Sequence, residues 1–448
     1  MATEEGCSLQ GLNVRKITAR VVYAMWGCVI ILCLVSCDNG KLEDLVLEGN
    51  ISGEQEFPLN PLSDKPRRLV VTGTEQNQYY IPSTPENITW GYLPNSNSKA
   101  ILTVPTGSEL IIDTISHEGI LEDQGRNPVA YFNSKGVAAD MVLKDVVDLA
   151  RSSVEHDFKI DGPHIVTGPI SVESAEVGDV LMVEILNIVP RVPYGVISNR
   201  HGKGGLPGEY PLGPKPEKGA SKNQPNKFRN ISIFVPTVKD ENSDSWVAVM
   251  KDSKNRAIRI PTRPFMGIMG VALNTEKKVH SVPPGFFGGN LDINDLTVGS
   301  KLYLPVFVEG AKFYTGDPHM VQGDGEVALT ALEQSLRVTL KLSVLKKGSA
   351  EIPSKSGSLN SPFAETEKYW IAVGLDQDLD EAMKMAIRES IRFLHEVKEM
   401  SKQTALAYLS AATDFEVSQV VDKVKGVHSL IRKSDFSADE VEEEDENQ

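Results

Sequence analysis

Cysteine is nearly absent from this sequence. Only four of the 448 residues are cysteines, at positions 7, 28, 33 and 37, and none follows Cys37. The rest of the chain therefore has no disulfide framework and no thiolate metal site. It also has no cysteine nucleophile, which excludes every thiol-dependent hydrolase.

Positive charge and long apolar runs are scarce as well. The chain has 46 Lys and Arg against 61 Asp and Glu, a formal net charge of -15. A phosphate-binding surface needs clustered Lys and Arg, so this balance argues against a nucleic-acid partner. No run of about 18 apolar residues occurs after residue 40, which excludes a polytopic membrane protein. The motifs G-x-S-x-G, P-loop and H-E-x-x-H do not occur.

The first residues have the order of a secretory leader. Basic residues between positions 15 and 20 precede the apolar run 21–36, which is too short to span a membrane comfortably. The run ends in Leu-Val-Ser-Cys at 34–37, which resembles a bacterial lipobox. We therefore predict a signal peptide over 1–36 and lipid attachment at Cys37. The protein would belong to the bacterial cell envelope and contact membrane only through this anchor. A buried hydrophobic N-terminal helix is the alternative.

Pattern changes along the chain predict its organisation. Residues 37–97 are rich in Gly, Pro, Ser and Asn, which favours a tether. Residues 98–350 contain many short β-branched or alternating runs between turn formers, which is typical of a β-rich core. Residues 351–436 change to helical spacing and predict a mostly helical C-terminal extension. Residues 437–448 are predominantly acidic and predict a disordered tail.

The many short strands indicate the fold class. We expect a mainly β protein, with a β-sandwich-type architecture, a smaller α+β part and C-terminal helices. Within the core, residues 202–226 contain Gly, Pro, Lys and Asn at high density and predict a long loop. A loop of this length inside a compact domain is usually functional or mobile.

Two Gly-rich segments, 280–292 and 316–326, carry more polar residues than an ordinary core strand. In the second, Asp317 and His319 are two positions apart and would point the same way from an extended backbone. Carboxylate and imidazole are ligands of a hydrolytic zinc-type site, in which three protein ligands leave one position for water. A polar turn satisfied by its own backbone is the alternative.

Four groups of motifs resemble the acetamidase/formamidase family. They occur in the family's order, and the resemblance runs from about residue 98 to residue 436. The motifs are Thr167-Gly168-Pro169-Ile170 with Gly178-Asp179-Val180; Arg263-Pro264-Phe265-Met266-Gly267-Ile268-Met269-Gly270; Pro283-Pro284-Gly285 with Gly288-Gly289-Asn290-Leu291-Asp292; and Gly316-Asp317-Pro318-His319 with Gln322-Gly323-Asp324-Gly325-Glu326.

The resemblance implies an oligomeric, predominantly β enzyme. It would hydrolyse a small aliphatic amide, formamide or acetamide, to carboxylate and ammonia with the help of a divalent metal. We expect zinc, with calcium as an alternative structural ion. The implied metal ligands are His164, Asp317 and His319. Shorter family members carry an acidic residue near residue 113, and in this chain a further ligand there would come from His117 or Asp113.

Further roles follow from this assignment. We expect Glu326 to be the general base and acid, because a carboxylate with a raised pKa can carry a proton from water to the leaving nitrogen. Asp324 and Asn290 are expected to orient the ligands or the substrate. Substrate contacts are expected from Gly289, Gln322 and His201.

Two other functions are compatible with the sequence. A surface-anchored binding lipoprotein could keep the fold without the chemistry, although the intact ligand candidates speak against it. An amidohydrolase of a larger amide could use the loop 202–226 as a specificity lid. Measuring ammonia release from formamide, acetamide and longer amides separates the three functions.

Overall fold

The structure is a computed structural model that describes residues 57–71, 77–240, 243 and 245–436, together with the strand backbones at 33–34 and 44–47. Most of the predicted leader, the lipidation site Cys37 and the acidic tail 437–448 lie outside the described residues. Within the described part, no helix has both the length and the apolar character needed to cross a membrane.

Strands make up most of the regular structure. In chain order they are β1 (Cys33–Leu34), β2 (Asp44–Leu47), β3 (Arg67–Val71), β4 (Gln78–Ile81), β5 (Ile88–Trp90), β6 (Tyr92–Leu93), β7 (Leu102–Val104), β8 (Ser108–Asp113), β9 (Ile165–Val172), β10 (Val180–Pro190), β11 (Tyr194–Asn199), β12 (Ile231–Lys239), β13 (Trp246–Lys251), β14 (Ala257–Pro261), β15 (Phe265–Val271), β16 (Val279–His280), β17 (Gly288–Asn290), β18 (Lys301–Pro305), β19 (Phe313–Val321), β20 (Leu332–Glu333), β21 (Leu336–Leu345), β22 (Phe363–Glu365), β23 (Tyr369–Asp376), β24 (Asp414–Gln419) and β25 (Lys425–Arg432). The α-helices are α1 (Pro128–Asn133), α2 (Lys144–Arg151), α3 (Leu379–Glu396) and α4 (Lys402–Ala412), and 3₁₀ turns lie at Glu122–Gln124, Ala139–Met141, Pro225–Phe228 and Lys433–Phe436. The predicted mainly β fold class is confirmed.

Two large sheets contain nearly all of these strands. The first has 12 strands in the order β1-β2-β3-β4-β8-β21-β10-β18-β22-β23-β25-β24. The second has 11 strands, with β14-β13-β12-β11-β20-β19-β15-β17 in one path and β9 joining β5, β7 and β19. Strands β6 and β16 form a separate pair. Most neighbouring strands run antiparallel, and many of these pairs, such as β10 with β18, β10 with β21 and β15 with β19, join segments that are far apart in sequence.

One apolar core is shared by both sheets. In β21, Val338, Leu340 and Leu342 are fully buried and alternate with partly exposed residues, as expected for a strand with one face in the core. In β15 every residue is buried, so both faces of this strand are covered, while its two edges pair with β17 and β19. The buried side chains of β21, in the first sheet, belong to the same apolar cluster as Ile268 of β15 and Phe313 of β19, in the second sheet.

The prediction of a tether over residues 37–97 is wrong for residues 78–93. Strand β4 pairs in parallel with β8, and Tyr80 and Ile81 are fully buried. Strand β5 pairs with β9, and Trp90 is buried as well. These strands are two to four residues long, so their sequence shows no sustained alternation. Their partners 30 or more residues away decide that they are strands.

The predicted C-terminal helices are confirmed by α3 and α4, but the extension is not mostly helical because four strands accompany them. Strands β22 to β25 extend the edge of the first sheet, and α3 and α4 cover it. Asp378 caps α3 by accepting hydrogen bonds from the backbone N–H groups of Asp380 and Glu381. A side chain at Gly374 of β23 would collide with the α3 backbone at Ala382, so the helix packs directly on the strand.

A buried ion network joins β8 to β21. Asp113 Oδ1 accepts a hydrogen bond from Arg337 Nε at 2.6 Å, and its Oδ2 accepts from Arg337 Nη2 at 2.9 Å and from Tyr80 Oη at 2.5 Å. Arg191 Nη2 lies 3.5 Å from Asp113 Oδ2. Asp113 is therefore a structural residue, and its alternative assignment as a metal ligand is wrong. Burial alone would raise the pKa of Asp113, but Arg191 and Arg337 outweigh it and hold the pKa below the ordinary value.

We expect Asp113→Asn to lower the free energy of unfolding by about 3–5 kcal/mol, because it leaves two buried guanidinium groups undercompensated. Since the pKa of Asp113 is lowered in the fold, its stabilisation is present above the ordinary carboxyl pKa and is lost as the pH falls through the folded value. Urea unfolding measures both effects. The control is Asp148→Asn, which breaks an exposed pair with Lys144 and should cost less than about 1 kcal/mol. Equal losses in the two variants would contradict the prediction.

Candidate active site

Strand β19 brings the predicted ligand pair to the middle of the second sheet. His319 lies opposite Phe265 of β15 on one side and opposite Glu333 of β20 on the other. Gly316 lies opposite Val166 of β9, the strand that follows His164. A side chain at Gly316 would collide with the backbone carbonyl of Ile165, so the close approach of β19 to β9 requires glycine at this position.

Three buried histidines surround Asp317. Its Oδ2 lies 3.2 Å from His319 Nε2 and 3.7 Å from His164 Nε2, and its Oδ1 lies 3.6 Å from His117 Nδ1. Glu333 completes this group, because its Oε1 lies 3.0 Å from His319 Nε2 and its Oε2 lies 4.0 Å from His117 Nδ1. The predicted proximity of Asp317 and His319 is confirmed.

Three further carboxyl groups adjoin these residues. Asp292 follows β17, Glu326 follows the Gly-rich turn after β19, and Asp422 lies between β24 and β25. One oxygen from each lies within 4.8 Å of the other two. Glu326 is also within this distance of His319 and Glu333, so the two groups form one continuous site.

Three of the acidic residues have left-handed backbone conformations. The φ angles are 51° at Asp292, 54° at Asp317 and 45° at Glu326. Residues with side chains adopt this region uncommonly, and such strain concentrates at functional sites. The fold therefore holds these carboxylates in positions that an unstrained chain would not give them.

Several polar atoms of the site lie close to other polar groups but make no well-aligned hydrogen bond to any described residue. They are both ring nitrogens of His117 and of His319, Oδ1 of Asp317, Oε2 of Glu333 and both carboxyl oxygens of Asp292. Leaving buried polar atoms without a partner is costly, so this many in one place indicates a missing partner. Imidazole and carboxylate groups together are the donors of a zinc-type site. The residues present fit a divalent cation.

Burial and mutual charge shift the pKa values of the whole group. Burial opposes charge on Asp317, but the neighbouring histidines keep its pKa well below the ordinary value. Burial lowers the pKa of His164 to about 4. Burial also opposes charge on His117, yet Asp317 and Glu118 raise its pKa to about 10. Burial and the charge of Asp317 raise the pKa of Glu333 to about 7.

Groups behind the site hold two of the histidines in place. Glu118 Oε1 lies 3.3 Å from His117 Nε2 and accepts a hydrogen bond from Arg200 Nη2 at 2.8 Å. Ser198 Oγ donates to the other oxygen of Glu118 at 2.7 Å. His164 Nδ1 is 3.0 Å from Ser281 Oγ, which leaves Nε2 directed at Asp317. Such partners fix the ring orientation of a ligating histidine.

A cavity of about 490 Å³ opens onto these residues. Its lining includes the buried residues His117, His164, Asn290, Asp317, Glu326 and Glu333. Exposed residues of the loop 202–226 and Lys423 also line it, and they form the solvent side. The buried carboxylates and histidines therefore face a space that a small molecule can enter.

Because Gly267 of β15 has no side chain, Asp292, Asp317 and His319 can lie close to its backbone. A Cβ atom at this position would lie 2.6 Å from Asp292 Oδ1, 2.8 Å from His319 Cε1 and 2.9 Å from Asp317 Oδ2. Each distance is too short for a real Cβ contact, so any side chain at Gly267 would displace the carboxylates or the imidazole.

Comparison with known proteins identifies the family. The sequence profile of the Acetamidase/Formamidase family matches residues 140–276 and 274–431, which together are more than half of the chain. The chain belongs to the acetamidase/formamidase family. The matched range includes β9, β15, β19 and β20, the strands that build the site.

Individual relatives agree with this assignment. A protein of Schizosaccharomyces pombe, provisionally named as a formamidase, is 32% identical over 225 residues, which are 43% of this chain and 54% of that protein. The formamidase of Methylophilus methylotrophus is 27% identical over 306 residues, 59% of this chain and 75% of the relative. The acetamidase structure from Yersinia enterocolitica has a TM-score of 0.61 at 22% identity and covers 83% of this chain and 96% of its own, which shows the shared fold. The match thus spans about half the length of the S. pombe relative.

In this family member, six predicted site residues lie together at the cavity. They are His117, His164, Asn290, Asp317, His319 and Glu326, of which all but His319 line it directly. His319 lies directly behind Asp317 and Glu333 and is fully buried.

Four other predicted residues do not line the cavity. Asp324 is exposed and accepts a hydrogen bond from Asn294 Nδ2 at 3.0 Å, on the far side of the turn that carries Glu326. Gln322 Nε2 donates to the carbonyls of Asp292 and Ser418, so this side chain positions backbone. His201 Nε2 contacts the Arg229 carbonyl at 3.1 Å. A Cβ atom at Gly289 would lie 2.9 Å from Phe287 Cε2 and 3.4 Å from Leu93 Cδ1, so this glycine leaves space for these side chains.

The sequence interpretation did not name two central residues, Glu333 and Asp422, and it named Asp292 only as part of a family motif. Glu333 follows apolar residues on a buried strand, and an isolated carboxylate in such a setting is a signal that could have identified it. Asp422 had no local signal, because it reaches the site from the loop between β24 and β25 at the far end of the chain.

Proposed function

We propose that this protein hydrolyses the C–N bond of a small linear amide, formamide or acetamide, and releases carboxylate and ammonia. The observation that supports this most is the buried group of histidines and carboxylates at the cavity, several of whose polar atoms have no hydrogen-bond partner among the described residues. The names of the related formamidase and acetamidase proteins indicate the substrate class.

We further propose that His117, His164, Asp317, His319 and Glu333 supply the ligands of a divalent cation, with zinc as the expected ion. Their imidazole and carboxylate donors are those that zinc prefers. When bound, the cation would supply a Lewis acid that polarises the amide carbonyl and makes water acidic at neutral pH.

Glu326 is the residue proposed to move the proton. It is buried and lines the cavity, and one of its carboxyl oxygens lies within 4.8 Å of ligand atoms of His319 and Glu333. Its carboxylate would accept a proton as water adds to the carbonyl carbon, and would pass that proton to the nitrogen as the C–N bond breaks. Water and the amide thereby give the carboxylic acid and ammonia, and the acid then passes its proton to ammonia in water, so that carboxylate and ammonium form without another reactant.

Asn290 is proposed to orient the substrate. It is buried and lines the cavity, and its Oδ1 makes no hydrogen bond to any described residue. An amide offers two N–H donors, and an unpartnered carbonyl oxygen is a suitable acceptor for one of them. This contact would select an amide over an ester, because an ester leaves the buried acceptor unpaired.

A larger amide is the second candidate substrate. The cavity of about 490 Å³ falls in the size range that holds drug-sized ligands, whereas formamide and acetamide have only a few atoms. The exposed Lys203 and Pro207 of the loop 202–226 contribute to its solvent side, which supports a role of this loop in specificity.

Ammonia release from purified protein tests these proposals. Formamide and acetamide should give the highest kcat/KM if the first candidate is correct, and longer or more polar amides should give it if the second is correct. Metal-depleted protein and Glu326→Gln serve as matched controls for background hydrolysis. Specific binding of an amide without any ammonia release would instead support a binding protein on the same fold.

We expect Gly267→Ala to weaken binding of the divalent cation by about 10–100-fold, the range seen when groups behind the ligands of a metal site are disturbed. The reason is the collision of the new Cβ with Asp292, Asp317 and His319. The control is Gly208→Ala, where the new Cβ meets nothing within 4 Å. Zinc titration of both variants measures the difference, and equal affinities would show that the site tolerates the extra atom.

We also propose that Cys37 carries a lipid that anchors the protein to a bacterial membrane, and that the protein is a homo-oligomer. The basic, apolar, small-residue and cysteine order of the leader supports the first proposal. Cys37→Ala should move the protein out of the membrane fraction or leave the leader uncleaved. Unchanged membrane association with a mature N-terminus elsewhere contradicts it. Light scattering after size-exclusion chromatography tests the oligomer.

A further inference from the structure

A second group of side chains that could bind a metal ion lies outside the cavity. It consists of Asp295, between β17 and β18, Glu416 of β24 and His428 of β25, which we call the rear cluster. One ligand-type atom from each lies within 4.8 Å of the other two. Glu416 and His428 are direct partners in the β24–β25 pair, so the sheet register itself brings them together.

The imidazole of His428 has one ring nitrogen, Nε2, that faces the rear cluster without a hydrogen bond. His428 is fully buried, and its Nδ1 is 2.8 Å from Ser418 Oγ, which fixes the ring. Its Nε2 makes no hydrogen bond to any described residue, and neither does Asp295 Oδ2. If Ser418 accepts the Nδ1 proton, Nε2 presents a lone pair to the two carboxylates, which is the tautomer that binds metals.

The distances within the rear cluster fit a cation between the side chains. His428 Nε2 lies 3.4 Å from Asp295 Oδ2 and 3.5 Å from Glu416 Oε2. Both separations exceed the about 2.7–3.2 Å of an N–H···O hydrogen bond. Two ligands about 2.0–2.2 Å from a tetrahedral zinc ion are about 3.4 Å apart, which matches both separations.

The charge around His428 also favours a cation. Arg263 contacts the Oδ1 oxygen of Asp295, on the side away from His428. Among the contacts described for Glu416 there is no Lys or Arg, and it is about one third exposed, so an ion could enter from solvent. Two carboxylates and one imidazole are the donors expected of a zinc-type site with an open position for water.

We propose that Asp295, Glu416 and His428 bind a second divalent cation of the zinc type. The inference does not depend on amide hydrolysis. Its place in the fold gives it a structural role, because Ser418 and Gly325 share a backbone hydrogen bond, as do Val420 and Gly325. The cation would therefore hold β24 and β25 against the turn that carries Glu326, and would steady the adjoining loop that carries Asp422.

Counting bound zinc tests the proposal. Purified protein is loaded with zinc, desalted and analysed by mass spectrometry of the metal. We expect two zinc ions per chain in the wild type and one in His428→Gln. The control His395→Gln, which changes an exposed histidine on α3, should keep both ions. If His428→Gln does not fold, Glu416→Gln gives the same count at a partly exposed position.

The zinc counts of further variants distinguish the rear cluster from the proposed metal site at the cavity. Loss of zinc in His428→Gln with none lost in His319→Ala supports the rear cluster and counts against the metal of the proposed active site. Zinc lost only in His319→Ala, with a wild-type count in His428→Gln and Glu416→Gln, overturns the rear site. In that case His428 is an imidazolium ion paired with the two carboxylates.

Discussion

Glu326→Gln is expected to reduce the turnover of amide hydrolysis by about 10²–10⁴-fold, the usual contribution of a positioned general base. Bound metal should stay near the wild-type amount, because His117, His164, Asp317 and His319 remain in place. The substitution keeps the size of the side chain and removes only its ability to take and return a proton. Single-turnover rates and metal content, measured on the same preparation, check both parts.

The control for this prediction is Glu309→Gln, which changes an exposed glutamate between β18 and β19. It should leave turnover unchanged. Wild-type turnover in Glu326→Gln would remove this residue from the mechanism. Asp422 or Asp292, which lie within 4.8 Å of Glu326, would then be the next candidates.

His319→Ala is expected to lower metal content and turnover together. His319 Nε2 lies 3.2 Å from Asp317 Oδ2 and 3.0 Å from Glu333 Oε1, so the substitution removes the central member of the proposed ligand set. The affinity for zinc should fall by more than the about 10–100-fold that follows loss of a group behind the ligands. Turnover should fall to the level of metal-depleted protein.

His201→Ala is the matched control, because His201 contacts the Arg229 carbonyl and does not line the cavity. Metal content and turnover should stay close to wild type. Circular dichroism confirms that both variants fold. Full turnover in folded, metal-free His319→Ala would contradict the metal-assisted mechanism altogether.

Part of this site was predictable because it is local in sequence. Asp317 and His319 are two residues apart, and a strand places such residues on one face. The structure places both at the centre of the site, although Asp317 has a left-handed φ of 54°. The Gly-rich turn after them returns Glu326 to the same region, as its composition indicated.

The remainder depends on contacts between distant parts of the chain. Glu333 becomes a neighbour of His319 only through the pairing of β19 with β20, and Asp422 arrives from the C-terminal strands. An alternating pattern tells which face of a strand is buried but not which strand lies beside it. The same limit explains why Asp324, close in sequence to Glu326, lies on the other side of the turn.

The sequence by itself determined the absence of thiol chemistry after Cys37, the mainly β fold class and the pair Asp317 and His319, because composition and local spacing are properties of the chain before it folds. Only the tertiary structure decided that strands such as β4 and β5 belong to the two sheets, that Asp113 is a structural ion partner, and that Glu333 and Asp422 join the site. These features depend on sheet register and burial, which are set by partners tens to hundreds of residues away.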